Sequence, residues 1–124
     1  MRVAVLRVQD GEGRGPWKPG FSYTWAEERA DLDNLLPWYM EFGQVHLVRR
    51  EGEHFGCGCM TVAQLRRWFT PGEYAFLVAH GYRAVRLEGC RVLAESAIQC
   101  VFARWANLRH AVEFDLYPRV LARV

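Results

Sequence analysis

The chain has 124 residues, 51% of them hydrophobic and 14% aromatic, enough for one domain with an apolar core and no disulfide staples. Sixteen basic against fourteen acidic side chains leave a formal charge of +2, too little to argue for nucleic acid on charge alone. No apolar run approaches the ~20 residues of a membrane span, and charge breaks the opening Met-Arg-Val-Ala-Val-Leu-Arg-Val, which excludes a signal-peptide reading. A soluble, cytoplasmic protein is expected.

Residues Arg2 to Gln9 carry apolar groups on both alternating faces, which predicts a strand covered on two sides. Arg7 would then stand beside the core and need a partner or a cleft. The run from Asp10 to Gly20 holds four glycines and two prolines and excludes a helix. Within it Arg14 and Trp17 either close over an anionic or planar ligand, or Trp17 packs back on the core. Thr24-Trp-Ala-Glu27 has the form of a capping box, predicting a helix to Leu35 or Leu36 that Pro37 ends. Trp25, Leu32, Leu35 and Leu36 would face inward, and the acidic positions outward. An aromatic stretch, Trp38 to Phe42, follows and Gly43 closes it.

Gln44 to Arg50 reads as a strand and Glu51 to Gly56 as a turn. A glycine-rich turn then delivers the chain to Thr61. Thr61-Val-Ala-Gln64 is a second capping box, with Val62, Leu65, Trp68 and Phe69 at helical spacing. Thr70-Pro-Gly-Glu73 starts another helix, with proline at the first helical position. His80-Gly81 stops it. Strands are predicted over Tyr82 to Glu88, Cys90 to Glu95, Ala97 to Trp105 and His110 to Tyr117, with Gly89 and Asn107 as turns and Pro118 ending the last ladder. The expected architecture is a single α+β domain over residues 1–124, with a mostly antiparallel sheet and about three helices.

Three chemistries are open to these residues. His54-Phe-Gly-Cys57-Gly-Cys59, with Cys90 and Cys100, offers soft metal ligands, but Cys-x-Cys is tight for zinc and no second close pair exists. The plain reading is a turn with reduced, half-buried thiols, and no metal is expected. Cys57 near His54 and a helix start also has the outline of a nucleophile. Gly56 to Thr61 leads into a helix N-terminus, where free amides favour an anion, with Arg7 or Arg14 as counter-charge. Nothing matches the Walker lysine pattern. Arg49, Arg50, Arg66, Arg67, Arg83, Arg86 and Arg91 interleave with acids and aromatics, which favours a protein partner over nucleic acid.

The pieces Gly13-Arg-Gly-Pro-Trp17, Phe55-Gly-Cys, Gln64-Leu-Arg-Arg-Trp-Phe69, Gly81-Tyr-Arg-Ala-Val and Gln99-Cys-Val-Phe102 resemble a group of small proteins encoded by phages and prophages. This likeness implies a counter-defence protein, such as an anti-CRISPR, that binds a host protein complex. The layout also resembles the ADP-ribosyltransferase fold, in which Arg7 would match the first motif, Thr61 the second and Gln99 the third. Gln99 departs from that family, because an amide cannot act as its carboxylate, and Glu95 and Glu113 lie outside the matching place. That likeness therefore implies a cleft for a nicotinamide dinucleotide more than it implies transfer. The ligand-binding candidates are Arg7, Arg14, Trp17, Thr61 and Gln99. No catalytic residue is assigned, and no cofactor is expected unless NAD binds in such a cleft.

Overall fold

A computed structural model describes residues 2–18, 20–27, 34–43, 50–108 and 110–118. The fold is α+β, a five-stranded antiparallel sheet with four short helices among the described residues. The elements in chain order are β1 (Val3–Gln9), α1 (Ser22–Trp25), α2 (Trp38–Glu41), β2 (Glu53–Gly58), α3 (Val62–Trp68), α4 (Pro71–Ala79), β3 (Arg83–Glu95), β4 (Cys100–Trp105) and β5 (Val112–Glu113). The sheet order is β1-β3-β4-β2, with β5 beside β3.

β1 is covered on both faces, as its two apolar faces require. Val5 and Val8 are three residues apart, so they point to opposite sides, and both are buried. Val8 joins a core under the helices with Trp25, Leu65, Trp68, Phe69 and Leu77. Val5 joins a second core inside the curl of the sheet with Val85, Leu87, Cys90, Cys100 and Phe102.

The long β3 corrects the expectation of two strands joined by a turn at Gly89. Val3 pairs with Cys90 and Val5 with Leu87, so β3 carries one extra residue there. Gly89 sits at φ +74°, the left-handed conformation of a bulge that bends a strand without ending it. The first half of β3 therefore pairs with β1 and β5, and the second half with β4.

The expected turn around Gly56 is also corrected. Glu53–Gly58 is a strand paired with β4 along its whole length. Its end runs across β1, where the Cys59 and Leu6 amides and carbonyls exchange hydrogen bonds of 2.7 and 2.8 Å. A Cβ on Gly58 would stand 2.6 Å from Val5 Cγ1 and 2.7 Å from the Leu6 carbonyl oxygen. The glycine is there because two backbones meet, and that contact draws the two sheet edges together.

Both middle helices start as expected. Thr61 accepts from the Gln64 amide and the Gln64 side chain accepts back from the Thr61 amide, and Thr70 and Glu73 repeat the pattern. Such caps contribute about 1 kcal/mol each. Leu65 and Leu77 are fully enclosed, a burial that stabilises by roughly 1.5–3 kcal/mol per leucine. His80 and Gly81 end α4.

The capping box at Thr24 does not form. Thr24 lies inside α1, where its hydroxyl donates to the Phe21 carbonyl, and Ala26 is extended. Glu27 instead accepts from the Thr70 hydroxyl, and its amide donates to Glu73, so the segment is tied to the α4 cap. Leu35 is not helical, and residues 28–33 of the expected helix lie outside the described residues. The strand expected over Gln44 to Arg50 falls there too, except for Arg50, which is not in a strand. The last strand is shorter than expected, only Val112–Glu113. β4 begins at Cys100 rather than Ala97, because Ser96 to Gln99 form a tight connection closed by a 2.9 Å bond from the Ser96 amide to the Gln99 carbonyl.

Candidate functional site

A cavity of about 600 Å³ opens between β1, the loop after it, the end of β2, α3 and the α2 segment. Its lining brings together three of the five candidates, Arg7, Trp17 and Gln99. Arg14 and Thr61 are not among the lining residues. Arg14 is exposed and pairs with Glu12 at 3.5 Å. Thr61 uses its hydroxyl as the α3 cap.

The loop from Asp10 is built around that aspartate. One Asp10 carboxylate oxygen accepts from the amides of Glu12 and Arg14, both at 2.9 Å, and the other takes Lys18 at 3.2 Å. Burial opposes the charge, but the two amides and Lys18 outweigh it and lower the Asp10 pKa. The ordered loop delivers Pro16 and Trp17 to the cavity. Trp25 Nε1 donates to the Pro16 carbonyl, and the Trp17 ring meets Trp25 edge-on at 4.5 Å. Trp17 thus packs on the core with one part and remains 45% exposed with the other.

Arg7 projects from β1 into the cavity wall. Burial lowers its pKa, opposed by the potentials of Cys57, Asp10 and Cys90. A guanidinium nonetheless stays charged in proteins. Its Nε is enclosed and has no hydrogen-bond partner among the described residues. A Cβ at Gly56 would come within 2.8 Å of Arg7 Nη1, and one at Gly15 within 3.2 Å of Nη2.

Gln99 is buried and works as a clasp. Its side-chain amide donates to the Leu36 carbonyl at 2.7 Å and to Glu41 at 3.0 Å. That holds the α2 segment against the start of β4 and raises one cavity wall, with Pro37, Trp38 and Tyr39. Trp68 from α3, Phe69 just after it and Tyr23 from α1 line it as well. The sequence flagged Trp38 to Phe42 as aromatic and Trp68 and Phe69 as core, without placing either at a site. Their signal was composition alone, and nothing local says where such rings converge.

The remaining chemistry changes in this setting. The four thiols are free. Burial pushes Cys57 up, against the pull of Arg7, and pushes Cys100 to about 12 and Cys59 still higher. His54 and Cys57 are three apart in a strand, so they face opposite sides. No group of three or more metal-ligating side chains comes together among the described residues. At the α3 start the amides of Met60 and Thr61 donate to Gln64, that of Gln64 to Thr61, and that of Cys59 to Leu6. These four amides are engaged within the chain. No helix among the described residues is long and apolar enough to cross a membrane.

A family model described as the bacteriophage T4 Y00F protein matches residues 1–115. The chain belongs to that family. It is a small phage-type protein, and the matched span takes in every element of the sheet and the whole cavity. No curated protein and no solved structure matches it.

Proposed function

We propose that this protein is a phage counter-defence factor of the anti-CRISPR kind, which works in the host cytoplasm by stoichiometric binding to a host protein complex. The observation that carries this reading is the rim of the cavity. Trp17, Tyr23, Tyr39 and Met40 are 45%, 90%, 61% and 59% exposed, and the three aromatic residues all border one opening. Rigid rings in one exposed patch are the usual anchors of protein interfaces. Membership of a phage family agrees with it.

The test is capture from a lysate of host bacteria on immobilised protein, with quantitative mass spectrometry. Wild type is expected to retain a defined complex at a fixed ratio. A Trp17→Ala, Tyr39→Ala double variant is expected to retain roughly tenfold less or worse. Equal retention by both, or none by wild type, overturns the reading.

A second reading is a degenerate NAD-binding domain of ADP-ribosyltransferase type. The shared cavity of Arg7 and Gln99 favours it. It weighs less, because the Thr61 hydroxyl is committed to a helix cap and the Gln99 amide to Leu36 and Glu41. Turnover on the captured partner separates the two.

A further inference from the structure

We propose that Arg7 anchors a small-molecule site for an aromatic or heteroaromatic ring that carries a single anionic group, phosphate or carboxylate. This goes beyond the rim's role in docking a protein and does not rest on it.

Arg7 makes no hydrogen bond or ion pair among the described residues, and its Nε is sealed from water. A permanent charge in that position needs an anion or water, and a bidentate oxyanion fits the guanidinium fork best. The nearby acid that feels Arg7, Asp10, already holds Lys18 and two backbone amides. Glycines flank the fork at both ends, Gly56 near Nη1 and Gly15 near Nη2, so no side chain from either position covers it.

The cavity supplies the rest of the recognition. Its volume of about 600 Å³ lies in the range that holds a drug-sized or nucleotide-sized molecule. Trp17, Trp68 and Phe69 offer ring faces and edges for a planar group. The charge count sets the ligand's class. Among the described residues the lining cations are Arg7 and Lys18, and Lys18 is paired with Asp10. One uncommitted cation suits one anionic group, and a diphosphate would leave its second charge against apolar walls.

The site is tested by calorimetric titration of the full chain with AMP and with indole-3-acetate, using adenosine and indole as uncharged controls. At least one acid is expected to bind with a Kd below about 1 mM, and at least tenfold more tightly than its control. AMP alone binding assigns the site to a purine phosphate, and indole-3-acetate alone to an indole carboxylate. Arg7→Met is expected to weaken binding at least tenfold without lowering the melting temperature, since it removes a half-buried charge that has no partner among the described residues and keeps the stem. Gly15→Ala, which leaves Arg7 in place and crowds Nη2, is expected to weaken binding too, and it decides the matter if Arg7→Met fails to fold. No heat with either acid, equal binding of acid and control, or undiminished binding by the folded variants overturns the proposal.

Discussion

Glu53 is a charge fully withdrawn from water and Arg7 one that is half-buried, and among the described residues only Glu53 has charged partners. The Glu53 carboxylate is fully enclosed, meets Arg91 at 2.6 Å and Arg2 at 3.3 Å, and accepts from the Arg50 amide. Arg91, above all, outweighs the cost of burial and holds its pKa at about 2, against 4.5 when free. A depressed acid stabilises the fold above its free pKa, and that contribution is lost as pH falls through the folded value. Wild type should therefore lose melting temperature steadily from about pH 4.5 down to about pH 2. Glu53→Gln should be less stable than wild type at neutral pH and show a shallower acid slope in the same thermal scans. An unchanged slope would contradict the account of this carboxylate. Among the described residues Arg7 has no such arrangement.

At the scale of elements, the local signals that worked were those whose physics is local. The caps at Thr61 and Thr70 need only four residues each, and both formed where the spacing placed them. Thr24-Trp-Ala-Glu27 has the same letters and failed, because Glu27 is drawn away to Thr70 and the Glu73 carboxylate. Tertiary partners overrode the box. Gln99 shows the same rule at a site. Its letter suggested a degraded catalytic carboxylate, while its neighbours make it a clasp on α2. Gln99→Glu puts an acceptor against the Leu36 carbonyl and a second negative charge beside Glu41. It should cost about 1–3 kcal/mol in urea unfolding at neutral pH. A neutral or stabilising result would mean that the clasp contributes nothing.

Over the whole molecule, fold class was legible because hydrophobic alternation and helix caps are written along the chain. The curl of the sheet, which brings its two ends together at a single bridge, was not. It depends on Gly58 letting β2 cross β1, on Gly89 bending β3 where a turn was expected, and on Cys59 pairing with Leu6 across more than fifty residues. The site was half legible for the same reason. A charge in an apolar strand marked Arg7, and a tryptophan in a glycine-rich loop marked Trp17, but the convergence of Trp38, Tyr39, Trp68 and Phe69 on them is a product of the tertiary fold.

The central claim is that this phage-family protein works by occupying a partner through the aromatic rim. Intact-mass measurement of the captured complex, made once under native conditions and once after denaturation, tests it most directly. The account predicts a complex of fixed whole-number ratio in which both chains keep their unmodified masses. A partner released from the protein and carrying an added ADP-ribose mass would contradict it and establish the transferase reading instead.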